Sequence, residues 1–199
     1  MIKEPHFTQF KKALDAVHPI GCECFEKIKQ LSEYNNLESN EYFSRSGDFN
    51  RLFGFVVSGA LRVFYLSADG QEYNKIFLLK NSFLSASIVP EQRSITSIQA
   101  VLLTQLITFK YSSFISLVKE FKHLSVFKQK LIECYLEGKQ EREIQLLSKT
   151  AEENYLLFLL QYPDFHNKIP NYHVASYLGI TPTQLSRIRR KIKNNINIC

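Results

Sequence analysis

The chain contains few of the residues from which metal centres are built. Its four cysteines are Cys22, Cys24, Cys134 and Cys199, and only the first two are close together, so neither a structural zinc site nor an iron–sulfur cluster has its ligands. No apolar run approaches the roughly 20 residues that a membrane helix needs, and the first residues lack the layout of a secretory signal. We therefore expect a cytoplasmic protein with reduced thiols and without a metal.

Catalytic motifs are also missing. The sequence has no Gly-x-Ser-x-Gly elbow, no phosphate-binding loop and no His-Glu-x-x-His motif. We accordingly predict no catalytic residues, no cofactor and no enzymatic activity. What the chain does have is a hydrophobic content of 45%, with 16 Phe and 10 Tyr, which is enough for a packed core. Its 199 residues are sufficient for one medium domain and a small one.

Negative charge is absent from one segment. From Phe165 to the C-terminus there are six Lys or Arg residues and no Asp or Glu, whereas residues 1–164 hold 19 of each sign. All of the formal charge of +6 therefore lies in this tail. Such an uneven distribution predicts a polyanionic partner.

The same tail has the pattern of two short helices joined by a tight turn. Small or apolar residues fall on one side of the first helix, Gly179 suits a left-handed turn, and a second apolar stripe follows. The first set is Val174, Ala175 and Leu178, and the second is Ile180, Leu185, Ile188 and Ile192. This spacing predicts a helix-turn-helix, whose shape suits duplex DNA.

The start of the second helix is well marked. Thr181 can cap it, Pro182 occupies the first helical position, and Gln184 completes a Thr-x-x-Gln capping box. Opposite the apolar stripe lies a polar and basic side, while Arg189 falls nearer the stripe and would have to extend toward solvent or a phosphate. The predicted DNA-binding residues are Thr181, Thr183, Gln184, Ser186, Arg187, Arg190 and Lys191. The alternative is an ordinary helical hairpin with a solvated basic side.

The rest of the chain divides into helical and strand-rich stretches. Residues 5–32 have helical apolar spacing with an interruption around 19–21, and residues 41–109 have the pattern of short strands. Asp69-Gly70 is a strong hairpin signal. Several strands at close intervals predict a β-barrel or jelly-roll sandwich.

After Tyr111 the sequence becomes helical again. Apolar residues at alternating three- and four-residue steps predict a dimer seam on a long helix, and the alternative is that the seam packs on its own barrel. The seam residues are Leu124, Phe127, Leu131 and Cys134. We divide the chain into a sensor barrel with N-terminal helices (1–110), a long linking and dimerisation helix (111–147) and a helix-turn-helix domain (148–199).

Barrel, long helix and helix-turn-helix, in that order, resemble the cyclic-AMP receptor protein / fumarate-nitrate regulator (Crp/Fnr) family of bacterial transcription factors. The resemblance is most specific at 174–182 and 185–189, which look like the branch common in Bacteroidetes, and at 57–63 with the later Asp69-Gly70. It implies an α+β fold: a cyclic-nucleotide-binding-like jelly-roll barrel with flanking helices, a long dimerisation helix and a C-terminal helix-turn-helix of the winged-helix type. It also implies that Thr183, Gln184 and Arg187 read bases, with Arg187 contacting guanine.

The family's ligand site is only partly matched. In that family a glycine–glutamate pair precedes an arginine–serine pair by about ten residues and together they hold a cyclic nucleotide. Here Arg93 and Ser94 could supply the second pair and are the effector-binding candidates, but residues 81–87 contain neither glycine nor glutamate, and Glu91 is misplaced. A cyclic nucleotide is therefore disfavoured in comparison with an unknown small effector or none. The alternative for Arg93 is a surface ion pair.

The hypothesis that follows is a sequence-specific regulator that binds an inverted-repeat operator on double-stranded DNA as a homodimer, with RNA polymerase and a small effector as further candidate partners. A second hypothesis is a ligand-binding or protein-interaction barrel whose tail binds nucleic acid nonspecifically. The third is a cupin-type metalloenzyme. It needs histidines on the barrel strands, and the five histidines all lie outside the strand-rich region.

Overall fold

The computed structural model of the protein describes residues 4–49, 51–86 and 92–196, with the side chains of the last helix described through Asn194. Helices and strands are both present, and the strands precede the longest helix, so the predicted α+β class is confirmed.

Two helices begin the chain, α1 (Glu4–Val17) and α2 (Cys22–Leu31). They are separated at the interruption that the sequence predicts, where Gly21 has a φ of 78°. Phe10 of α1 is fully buried and stacks on Phe55 of the sheet domain with ring centroids 4.9 Å apart. Stacked aromatic pairs of this kind fix the N-terminal helices to the sheet.

Eight strands form the centre of the protein. They are β1 (Glu33–Leu37), β2 (Tyr42–Ser44), β3 (Leu52–Ser58), β4 (Ala60–Leu66), β5 (Glu72–Leu79), β6 (Phe83–Ser85), β7 (Ser97–Ala100) and β8 (Thr104–Lys110). One sheet has the order β1-β8-β3-β6 and the other β2-β7-β4-β5, with antiparallel neighbours throughout. Two four-stranded antiparallel sheets with this order are a jelly roll, as predicted.

One strand prediction needed adjustment. The strand-like stretch 98–109 is divided between β7 and β8, because the chain turns at 101–103. There the Thr104 side chain accepts a hydrogen bond from Ala60 N (3.0 Å) and donates to Leu102 O (2.7 Å). The hairpin at Asp69-Gly70 is confirmed: Gly70 has a φ of 82° and its N–H donates to Ser67 O at 3.0 Å.

The chain is helical after Lys110. The helices are α3 (Tyr111–Glu120), α4 (Lys122–Ser148), α5 (Ala151–Gln161), α6 (Asn171–Leu178) and α7 (Pro182–Ile196), with a short 3₁₀ turn at Phe165–Asn167. The predicted long helix from 111 is therefore two helices, because Phe121 has extended backbone angles (φ −112°, ψ 110°) and ends α3. No strand lies between Tyr111 and Ile196, so the wing implied by the resemblance is wrong for this described segment.

The predicted dimer seam is wrong for its first two residues. Leu124 and Phe127 are 0% exposed and belong to the core that α1, α2 and the first sheet share. Leu131 packs against the same core, whereas Cys134 is exposed. The alternative therefore holds for the first half of α4, whose apolar side packs on the chain's own barrel. The ring centroids of Phe127 in α4 and Phe83 in β6 are 5.3 Å apart.

A second core joins the sheets to the C-terminal helices. Phe77 of β5 contacts four aromatic rings of that region, with centroid distances from 4.9 to 6.1 Å. The four rings belong to Phe158, Tyr162, Phe165 and Tyr177. The helix-turn-helix is therefore packed directly on β5 of the jelly roll.

Candidate nucleic-acid interface

Helices α6 and α7 cross as the sequence predicts. Val174, Ala175, Leu178 and Leu185 are all buried in the second core. Gly179 adopts the left-handed conformation (φ 70°, ψ 28°) and caps α6. A residue with a Cβ is strained at this φ, so the glycine allows the sharp turn between the helices.

The capping box of α7 is also present. Gln184 N donates to Thr181 Oγ1 (3.2 Å), and Thr181 N donates to Gln184 Oε1 (2.9 Å). The reciprocal pair satisfies two backbone N–H groups at the start of the helix. Because Oε1 of Gln184 is used in the cap, only its NH₂ group is left for a base.

The predicted polar side of α7 is open to solvent. Four of its residues, Thr183, Ser186, Arg187 and Arg190, are exposed, and within the described part of the chain their side chains form neither a hydrogen bond nor an ion pair. A short hydroxyl side chain thus precedes two arginines by one and two turns. Arginine donors on a solvent-exposed helix face can bind guanine edges or phosphates.

Lys191 is directed toward a neighbouring helix. Its Nζ lies 2.6 Å from an Oε of Glu152 in α5, although the lysine side chain remains 64% exposed. An exposed ion pair of this kind is weak. Lys191 can therefore reach a phosphate only by leaving Glu152. The sequence pattern did not reveal the ion pair between Lys191 and Glu152.

Arg189 packs between helices, so the expectation that it extends to solvent or a phosphate is wrong. Its Nη1 donates to Asn171 Oδ1 at 2.5 Å, and its guanidinium lies 5.5 Å from the centroid of the Tyr155 ring. Burial, together with the nearby charge of Arg189, lowers the pKa of His166. Arg189 thus helps to hold α7 against α5 and α6.

A polar network that the sequence did not predict fixes α6 to the sheet. Buried Arg62 of β4 donates to Gln99 and pairs with Glu72 at 2.5 Å. Glu72 O accepts a hydrogen bond from Ser176 Oγ (2.6 Å), and Asn74 N donates to the same hydroxyl (3.0 Å). The one sequence signal was polar side chains at Arg62 and Asn74 on strands that are otherwise mostly apolar.

His173 of α6 closes this network. Asn74 Nδ2 donates to His173 O at 2.9 Å and lies 3.4 Å from His173 Nδ1. Burial and the charge of Arg62 lower the pKa of His173 to about 4, with Glu72 acting in the opposite direction. The imidazole is therefore neutral at pH 7.

Helix α4 reaches α6 through Arg142. The guanidinium donates to Tyr177 O in the last turn of α6 and lies 4.1 Å from the centroid of the Tyr177 ring. A cation near the C-terminal carbonyls of a helix is favourable. Burial lowers the pKa of Arg142.

The two predicted effector-binding residues, Arg93 and Ser94, form contacts with other residues of the protein. Arg93 Nη1 donates to Gly47 O (2.6 Å) and its guanidinium lies 4.3 Å from the Phe49 ring centroid; among described residues it has no ion pair. Ser94 is buried and its hydroxyl donates to Thr96 O (2.7 Å). Glu91 lies outside the described residues.

The described residues provide neither a metal-binding cluster nor a membrane-spanning helix. No group of three or more His, Cys, Asp or Glu residues between 4 and 196, gaps excepted, could hold a metal ion. Within the same residues, no helix is both long and apolar enough to cross a bilayer. Cys199 lies outside these limits.

No protein-family model matches the chain. The transcriptional activator protein Anr of Pseudomonas protegens is 23% identical over 171 residues, which cover 80% of this chain and 70% of that protein. FixK2 from Bradyrhizobium japonicum superposes with a TM-score of 0.75 at 19% identity, covering 82% and 85% of the two chains. A protein of the Crp/Fnr family from Eubacterium rectale gives 0.69 at 18% identity, covering 88% and 84%. The chain thus has the fold of these proteins.

Proposed function

We propose that the chain is a transcriptional regulator of the Crp/Fnr family that binds DNA sequence-specifically as a homodimer. The observation that carries this is the structure of α7. Leu185 fixes one side of the helix in the core, and the opposite side exposes Thr183, Arg187 and Arg190 without partners among the described residues. The assignment to the branch common in Bacteroidetes rests only on segments 174–182 and 185–189.

The exposed side of α7 fits the major groove. Arg187 can donate two hydrogen bonds to a guanine edge, and Thr183, one turn earlier, is short enough to contact a base or its methyl group. Gln184 can add its NH₂ group, since its oxygen holds the cap. Arg190 and Lys193, further along the helix, are placed for phosphates, which position the protein without selecting sequence.

The second half of α4 supplies the surface for the partner copy. Leu136, Ile144 and Leu147 are exposed, Leu147 by 82%, and at 3.6 residues per turn they fall within an arc of about 80°. An exposed apolar strip on a helix is typical of a protein interface. These residues therefore replace Leu124 and Phe127 as the proposed dimer contacts. Two α7 helices could then enter major grooves about 34 Å apart on an inverted repeat.

RNA polymerase remains a proposed partner because of the family resemblance. A small effector remains one because a cavity lies between the jelly roll and α4. The effector barrel is proposed to be degenerate toward cyclic nucleotides, because Arg93 is bonded to Gly47 O and residues 81–87 supply no glycine or glutamate. The proposed activity is binding, which needs no catalytic residue.

Selection of binding sites from a random duplex library tests the proposal. We expect enrichment of one inverted repeat. Arg187→Ala should relax the preference at one position in each half-site, by about 1–3 kcal/mol of discrimination. Lys193→Ala should weaken binding to all sequences alike and reduce the salt dependence by about one phosphate contact.

Arg51→Ala is the matched control, because Arg51 is an exposed arginine on the sheet domain; this variant should select the unchanged repeat. If no sequence is enriched, the interaction-module hypothesis replaces the regulator. If Arg187→Ala selects the same site as the wild type, α7 does not read bases in the assigned register.

A further inference from the structure

A cavity of about 450 Å³ lies between the jelly roll and α4. Its walls are mostly apolar, with aliphatic and aromatic side chains that come mainly from both sheets, α3 and α4. The principal aliphatic residues are Val63, Ile76, Leu78, Leu84, Ile98 and Leu131. Small-molecule sites in proteins have volumes of about 300–1,000 Å³ and mostly apolar walls, so this cavity has the size and lining of a ligand site.

The charged groups at the cavity are all positive among the described lining residues. Lys75 of β5 and Lys128 and Lys139 of α4 line it, together with Arg93, and no described lining residue is Asp or Glu. None of the three lysines forms an ion pair within the described chain. Like charges around one low-dielectric cleft raise the local concentration of anions.

We propose that this cavity binds an anion with an aliphatic body, a carboxylate of the fatty-acid type, as the effector of the regulator proposed above; the effector role rests on that function. The carboxylate would lie at Lys139, and Lys128, about three helical turns earlier on α4, adds to the positive charge along the cavity. The aliphatic body would lie along Ile76, Leu78 and Leu131. Burial of such a chain is favourable, and ammonium donors replace the hydrogen bonds that the carboxylate loses when it leaves water.

The same lining is a poor match for a cyclic nucleotide. Arg93, the one guanidinium among the described lining residues, donates a hydrogen bond to Gly47 O and lies over the Phe49 ring. The buried Ser94 hydroxyl is used by Thr96 O. No carboxylate among the described lining residues can accept a ribose hydroxyl.

The position of Lys139 on α4 places the proposed ligand site close to the contact between α4 and the helix-turn-helix. Lys139 lies three residues before Arg142, and therefore close to the same side of the helix. Arg142 donates to Tyr177 O at the end of α6. An anion held by Lys139 thus lies one helical turn from the contact that attaches α4 to the helix-turn-helix.

Calorimetric titration of the full chain with decanoate tests the proposal, with decanol as a neutral probe of similar length and cyclic AMP as a third ligand. We expect decanoate to bind more tightly than either. The double variant Lys128→Met/Lys139→Met should weaken decanoate binding by about tenfold or more and leave decanol binding unchanged. Lys130→Met, on the same helix but outside the lining, should bind decanoate within about twofold of the wild type.

Three results would overturn the proposal: no binding of decanoate, equal binding of decanoate by wild type and double variant, or tighter binding of cyclic AMP than of decanoate. The titrations are made without DNA. Loss of decanoate binding in a protein that still selects an inverted repeat would therefore refute the ligand class alone, and failed site selection with intact decanoate binding would refute the regulator alone.

Discussion

Acidification should destabilise the protein through His173. The side chain is 4% exposed and its pKa is lowered from 6.5 to about 4 by burial and by Arg62, against the opposing effect of Glu72. Between these two pKa values the unfolded chain binds a proton that the folded chain does not, so stability is complete above pH 6.5 and falls as the pH drops toward 4. At about 1.4 kcal/mol per pKa unit, the loss between pH 7 and pH 5 is about 2 kcal/mol.

Urea unfolding of the wild type and His173→Gln at both pH values measures this effect. The variant cannot bind the proton, so the wild type should lose about 2 kcal/mol more between pH 7 and pH 5 than the variant does. His123→Gln is the matched control, since His123 is exposed, and it should behave as the wild type. Equal pH dependence in the wild type and His173→Gln would refute the argument that the buried network keeps this imidazole neutral.

Three further predictions concern the cores and the partner surface. Phe77→Ala should lower the free energy of unfolding by about 3–5 kcal/mol in urea, and a loss below 1 kcal/mol would contradict the shared core. Gly59→Ala should lose more than about 2 kcal/mol, because its φ is +93° and an added Cβ would lie 2.3 Å from Leu103 O; Gly70→Ala, with a φ of +82° and open space around it, should lose only about 1–2 kcal/mol. Leu147→Glu should convert a dimer to a monomer in sedimentation velocity at unchanged monomer stability, and a dimeric variant would exclude this strip as the interface.

The helix-turn-helix could be predicted from sequence because its determinants are local. Gly179 and the Thr181–Gln184 capping box act within a few residues, and both have the expected conformation and contacts. The hairpin at Asp69-Gly70 is local in the same sense. In contrast, β1 was missed, since Glu33–Leu37 is mostly polar and is a strand through its pairing with β8, some 70 residues away.

The errors at the candidate sites have a non-local origin as well. The periodicity of α4 shows that Leu124 and Phe127 share an apolar side, but it does not say whether that side faces a partner or the chain's own barrel. Likewise, the helical wheel places Arg189 and Lys191 on α7 without revealing Asn171 and Glu152 on other helices. Tertiary contacts decided each of these cases.

The packing of Phe77 among the aromatic rings of the C-terminal helices has a consequence for protein engineering. A fragment that begins at α5 would leave Phe158 and Tyr162 facing water, and a fragment that ends after the jelly roll would expose Phe77 itself. A chimaera that joins the C-terminal helices to another domain would therefore have to include β5. Otherwise both sides of the contact around Phe77 would have to be redesigned together. Although the jelly roll and the C-terminal helices are consecutive in sequence, both contribute side chains to one hydrophobic core.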